Sequence, residues 1–227
     1  MDKLTHTTAR RRQSLTREQI IEASIALLDA GGEGGLTFRA LAERLGTGAG
    51  AIYWHVDDKG DLLTAACDAL VARALGAPAP GQAPGDVVRA VALALFDAID
   101  AHPWVGAALT AAPGSLPVVR ILERLGRQVG ALGVPAHAQW ASVSALLSYI
   151  LGVAGQNAAN ARLALPAGAD RTAFLDAVAD GWLALDADEF AFTRGVAGRL
   201  REHDDRLDFL AGIDLILAGI AAAAAAR

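Results

Sequence analysis

Leu36 to Lys59 reads LTFRALAERLGTGAGAIYWHVDDK, and the reading of this stretch decides the fold. Thr37 is placed to N-cap a short helix whose apolar positions Phe38, Leu41, Ala42 and Leu45 share one face. Gly46 ends that helix. A second helix is predicted almost at once, with Ile52 and Val56 turned inward at four-residue spacing. Two short helices joined by a glycine-containing turn form a helix-turn-helix, whose second helix enters the major groove of DNA. Trp54 is expected to anchor this second helix to the core of the small domain.

On the N-terminal side, Thr16-Arg17-Glu18-Gln19 has the T-x-x-Q form of a capping box. Ile20, Ser24, Leu27 and Leu28 follow at helical spacing, up to the glycine-rich stretch from Gly31 to Gly35. This first helix is needed as a scaffold, because two short helices bury too little surface alone. On the C-terminal side, Asp57 or Asp58 can cap a fourth helix with Leu62, Leu63, Ala66, Leu70 and Val71 apolar, running to about Leu75. Residues 1–14 lack periodicity and are expected to be a disordered basic arm. The net charge is −5, yet Lys3, Arg10, Arg11, Arg12 and Arg17 stand against the single acid Asp2 in the first 17 residues. Basic charge is thus concentrated beside the two-helix reader. Arg10, Arg11 and Arg12 suit contact with phosphates or a minor groove; otherwise they form a solvated tail.

Beyond residue 75 the run from Gly76 to Gly85 is rich in proline and glycine and marks a linker. Helical series follow at about 86–101, 104–111, 116–132, 136–165, 171–185, 188–202 and 205–223. No segment alternates as a strand would, so the predicted fold is all-α, organised as arm 1–14, reader with connecting helix 15–75, linker 76–85 and a larger helical domain 86–227. Val143, Leu147, Ile150 and Ala154 make one apolar stripe. Phe209, Ile213, Ile216 and Ile220 make another, widened by Leu210 and Leu217. Such stripes serve internal cores or subunit contacts. No uninterrupted apolar run reaches the length of a membrane span, no signal core opens the chain, and the single Cys67 fits inert packing in a reducing compartment. A soluble cytoplasmic protein is expected.

The runs GLTFRALAERLG and AIYWHVDDKGDLL closely resemble the DNA-binding domain of the tetracycline-repressor (TetR) family, and YWHV resembles the branch that gives the family its name. The resemblance is strong over about the first 75 residues. Farther on it rests on helical layout and on DFLAGIDLILAGI, similar to the dimerising end of that branch. It implies that Arg39 reaches a base edge, where a guanidinium gripping guanine O6 and N7 discriminates by about 1–3 kcal/mol. Tyr53 matches a position touching backbone and base, His55 and Lys59 match phosphate contacts, and Thr37 lies where a hydroxyl meets a phosphate. Tyr53 as core and His55 as a surface histidine remain the bland alternatives. The sequence departs from the family branch at Thr47, Gly48, Ala49, Gly50 and Ala51, which offer a single hydroxyl. Specificity would then rest on Arg39, Thr47, Tyr53, contact of Ala49 or Ala51 with thymine methyls, and DNA shape.

The resemblance further implies a homodimer, with the two striped helices of each subunit forming a four-helix contact, and an effector pocket in the larger domain. Effector binding there moves the helix after the reader, which requires only that the ligand prefer one of two dimer geometries. Polar residues within apolar helices are the candidates for orienting the ligand: His102, Gln156, Asn157 and Asn160, with Trp104, Trp140 and Phe174 as walls. His102, next to a proline, could instead cap a helix end, and Asn157 or Asn160 could line a solvated face. The metal-drug arrangement of the family branch needs a carboxylate about where Gln156 stands, so no metal and a largely apolar effector are expected.

An enzyme is the competing class. Neither a nucleophile elbow nor HExxH occurs, and the five histidines are scattered. Gly46-x-Gly48-x-x-Ala51 meets the dinucleotide fingerprint, but that motif requires a preceding strand, and a helix is predicted there. The resulting expectation is a non-enzymatic, cofactor-free, ligand-responsive repressor that binds a palindromic double-stranded operator. The alternative is a helical protein binding a small molecule or a partner, its specific DNA binding weak or lost.

Overall fold

The computed structural model describes residues 15–77, 80–164 and 171–225, the side chains of 162–164 excepted. Arg10, Arg11 and Arg12 lie outside the described residues. Among those described the chain is helical throughout, with no strand, and it divides into two compact units, Met1–Ala66 and Cys67–Arg227.

In the first unit, α1 (Arg17–Gly35) opens on the capping box: Gln19 N–H donates to Thr16 Oγ1 at 3.2 Å and Thr16 N–H to Gln19 Oε1 at 3.0 Å. α1 buries Ile20, Ala23, Ser24, Ile25 and Leu28, and the Ser24 hydroxyl is satisfied by Ile20 O at 2.8 Å. α2 (Phe38–Leu45) starts with Ala40 N–H donating to Thr37 Oγ1 at 3.1 Å and ends at Gly46, whose φ of 63° is the left-handed conformation glycine adopts without a Cβ clash. α3 spans only Ala49–Ile52, a single turn. Gly50 within it weakens it, and Val56, though buried as predicted, lies beyond it in the following turn. α4 (Lys59–Leu75) is capped by Asp58, which accepts from Asp61 N–H at 2.9 Å.

The division between units falls within α4, whereas composition marks 76–85 as the linker; Pro84 and Gly85 of that run already belong to α5, whose first turn accepts a proline. α5 (Pro84–Ala101) is the centre of the second unit and buries Val87, Val88, Val91, Ala92, Leu95, Phe96 and Ile99. It packs against α6 (Trp104–Ala111), α7 (Leu116–Ala131), α8 (Ala136–Ala164) and α11 (Asp205–Ala225). Phe209 of α11 meets Phe96 of α5 at 4.8 Å between ring centroids and Tyr149 of α8 at 5.6 Å. Arg89 bonds Asp214 at 2.6 Å and Arg206 bonds Asp97, both joining α5 to α11. Exposed pairs like these contribute about 0–1 kcal/mol each, so they orient the helices more than they hold them. α9 (Arg171–Leu183) and α10 (Ala191–Arg201) form a hairpin packed chiefly on itself, with Arg201 bonding Asp176 and Asp180.

The residues of the two expected dimer stripes divide by burial. Val143, Ile150 and Ala154 on α8 and Phe209, Ile213, Leu217 and Ile220 on α11 are buried within the single chain; Leu147, Leu210 and Ile216 are half-buried. The buried members belong to the chain's own core. Both helices carry apolar residues on more than one side, and helical periodicity cannot say which side meets the chain's own core. Ala136–Ala161 and Asp205–Ala225 are in fact long and apolar enough, by length and composition, to cross a membrane. Asp208 and Asp214 interrupt the second run, which hides it from a search for unbroken apolar sequence. Only 22% of either stretch is buried, leaving an apolar outer surface that includes Leu207, 66% exposed, and Leu215, 76% exposed.

Candidate nucleic-acid interface and ligand cleft

Three helices of the first unit present a polar face. Leu36, Leu41, Ile52 and Val56 fill its interior beneath α1, which leaves Thr37, Arg39 and Tyr53 outside and Thr47, Ala49, Ala51, His55 and Lys59 half-buried at its edge. The Phe38 ring stacks on Tyr53 with centroids 4.3 Å apart and planes 14° from parallel. This stack closes the start of α2 onto the end of α3, and Arg39, the neighbour of Phe38, is exposed. Among the described residues the Arg39 side chain has no hydrogen-bond or ion-pair partner, so its five donors stay available for an acceptor. Lys59 reaches Glu33 at 3.8 Å and Arg17 reaches Asp61 at 3.4 Å, both exposed pairs that a phosphate can displace.

Trp54 overturns its expected role. It is 89% exposed and anchors nothing. The anchoring falls to Tyr53, which stacks on Phe38 while staying 55% exposed. The cause is the shortness of α3: the chain enters a turn at Tyr53, which carries Trp54 away from a core already filled by Ile52 and Val56. An indole N–H on this surface is a donor that the sequence reading did not count; Arg44, exposed in the last turn of α2, is a second. The apparent dinucleotide fingerprint at Gly46, Gly48 and Ala51 follows helix α2, where the motif requires a strand.

In the second unit a cleft of about 410 Å³ opens among α5, α8, α9 and α11, lined by Phe96, Asp97, Asp100, Asn157, Asn160, Ala161, Arg171, Phe174, Leu175 and Asp204 to Arg206. Its volume falls within the range of small-molecule sites. Of the expected ligand residues, Asn157, Asn160 and Phe174 come together here. The other four do not line it. Trp104 is buried core at 6% exposure, with His102 edge-on to it at the end of α5; Gln156 faces solvent; Trp140, 69% exposed, stands on a separate groove with Val119 and Gln139. Gln156 is exposed on α8 outside the cleft, and Trp104 belongs to α6, which does not line it; residue type carries neither distinction.

The cleft's charged groups were not anticipated. Asp97 and Asp100 are one turn apart on α5, and Asp204, Asp205 and Arg206 open α11. Charges at the ends of otherwise apolar helices were the available signal. Asn157 Nδ2 donates to Asp100 at 3.2 Å, Arg171 bonds Asp205 at 2.5 Å, and Asp204 caps α11 by accepting from Arg206 N–H at 3.0 Å and Leu207 N–H at 2.9 Å.

The family described as bacterial regulatory proteins, tetR family, matches residues 20–66, which contain the whole α2–α3 reader. Along nearly its full length the chain is similar to the transcriptional regulator SCO7222, a TetR from Streptomyces coelicolor. The two are 53% identical with a TM-score of 0.84, and the match covers 92% of this chain and 99% of that one. An HTH-type transcriptional regulator of Saccharopolyspora erythraea is 30% identical over 145 residues, 63% of this chain and 61% of the relative. The tetracycline repressor protein class D of Escherichia coli is 44% identical over 59 residues, 26% of this chain and 27% of that protein. The chain therefore matches less than two thirds of the length of these curated relatives.

Proposed function

The chain belongs to the TetR family of bacterial regulatory proteins, and from that premise we propose that it is a ligand-responsive transcriptional repressor, cytoplasmic, binding a palindromic operator as a homodimer. The observation that carries the reading is Arg39, exposed next in sequence to Phe38 of the Phe38–Tyr53 stack and without a partner among the described residues. A guanidinium without a local acceptor suits the guanine edge, which offers two acceptors to its planar fork. Around it, Thr37, His55 and Lys59 take phosphates, Tyr53 touches backbone and base, and Thr47, Ala49 and Ala51 form the sparse groove-facing tip. Trp54 joins them as a backbone contact. Arg10, Arg11 and Arg12, in the arm 1–14, add phosphate or minor-groove contacts.

Residues 15–75 act as the reader, 76–85 as the linker and 86–227 as the ligand-binding and dimerisation domain. The outer faces of α8 and α11, with Leu207 and Leu215, serve the subunit contact; their exposure supports this, and burial against a second copy explains helices apolar enough to resemble membrane spans. The cleft holding Asn157, Asn160 and Phe174 is the effector site. A ligand that fits it in only one dimer geometry shifts the population away from the DNA-binding form.

Selection of bound fragments from a random DNA pool tests the reading. A repressor of this kind enriches one motif with two-fold symmetry; a pool that stays unenriched contradicts it.

A further inference from the structure

We propose that the cleft among α5, α8, α9 and α11 selects a ligand with an apolar, ring-sized body and one cationic nitrogen, the ammonium seated on Asp100 and the body against Phe174 and Leu175. The inference rests on reading this cleft as the effector site and adds the charge of what it takes. Its lining carries four carboxylates and two guanidiniums. Both guanidiniums are engaged: Arg171 on Asp205 and on His203 O, and Arg206 on Asp97. Asp204 is committed to the N-terminal N–H groups of α11.

Asp100 is different. Among the described residues its one hydrogen-bond partner is the neutral Asn157 amide, and no cation pairs with it. It also stands in the last turn of α5, where the unsatisfied carbonyls add partial negative charge. A cation entering there meets the carboxylate and the helix end together, with Asn160 at the same wall as a further acceptor. An anion would have to break an existing arginine pair and remain beside Asp100. A neutral ligand gains the apolar wall alone. Charge therefore discriminates between ligands of equal shape, while the wall supplies most of the buried area.

The test is calorimetric titration of the full chain with three probes of one shape: naphthylethylamine, naphthylethanol and naphthylacetate. The amine is expected to bind about tenfold more tightly than the alcohol, as a charge-assisted hydrogen bond supplies, and the acid most weakly. Asp100→Asn keeps the acceptor for Asn157 and lies on the surface, so folding is preserved; it should erase the amine's advantage and leave the alcohol unchanged. Phe174→Ala should weaken all three. Equal binding of the three probes, no binding, or an amine preference that survives Asp100→Asn overturns the inference. DNA release is scored separately: an amine that binds through Asp100 yet leaves operator DNA bound contradicts the effector role and upholds the charge preference.

Discussion

Gly212 of α11 lies against the phenol ring of Tyr149 on α8: a Cβ built on Gly212 would stand 2.9 Å from Cε2 and closer still to Cζ and Oη. The hydroxyl donates to Phe209 O at 3.2 Å and the ring stacks on Phe209, so the phenol cannot swing aside without losing both contacts. Gly212→Ala should therefore destabilise the protein by about 1–3 kcal/mol, the usual penalty of overpacking. Urea denaturation measures it. Tyr149→Ala in the same chain should make the added methyl harmless, and a Gly212→Ala variant as stable as the parent would show that the two helices separate freely.

The buried and exposed faces of α11 predict opposite behaviour for residues two apart. Leu215→Asp places a charge on the outer face and should yield a folded monomer by light scattering. Ile213→Ala opens a cavity in the chain's own core and should cost about 2–5 kcal/mol of stability. A dimeric Leu215→Asp protein would move the subunit contact elsewhere.

Arg39→Ala should weaken operator binding by about 1–3 kcal/mol while random-sequence binding changes little, because a base contact discriminates and a phosphate contact does not. Lys59→Ala should weaken both alike and lessen the salt dependence. Competition titrations against a scrambled duplex separate the two. Equal losses for Arg39→Ala would assign that side chain to the backbone.

Burial, with the Asp68 carboxylate second, pushes the Cys67 thiol up from 9.0 to about 12. The thiol is thus protonated in the folded protein and poorly nucleophilic at neutral pH, and iodoacetamide should label it only on unfolding. Because the folded-state value is raised, its contribution to stability is whole below about 9 and is lost as pH climbs to about 12. Denaturation midpoints of the parent should fall faster across that window than those of Cys67→Ala. Parallel curves would show that the thiol is not shielded.

The parts legible in the sequence were those set by local chemistry. Thr16 and Gln19, Thr37 and Gly46 each do what their residue type and spacing dictate, because a cap is satisfied within one turn of chain. Less legible was which way an apolar side chain points once a helix is apolar on several sides. Ile213 and Leu215 are both aliphatic, and tertiary packing alone buries one and exposes the other. Trp54 is hard to read for a related reason: a four-residue helix ends before periodicity can govern where the indole goes. Asn157, Asn160 and Phe174 of the cleft are legible as polar or aromatic residues on apolar helices, but its charged lining is not, because Asp100, Arg171 and Asp205 come from three separated segments and meet only when the helices pack.

The most direct test of the central claim is fluorescence anisotropy of the full chain on the DNA upstream of its own gene and on a scrambled duplex, each at low and high salt. Phosphate contacts alone give binding that is blind to sequence and falls steeply with salt. A reader built on Arg39 predicts that preference for the upstream DNA persists at the higher salt. Equal binding to both duplexes, lost together as salt rises, would contradict a sequence-specific repressor.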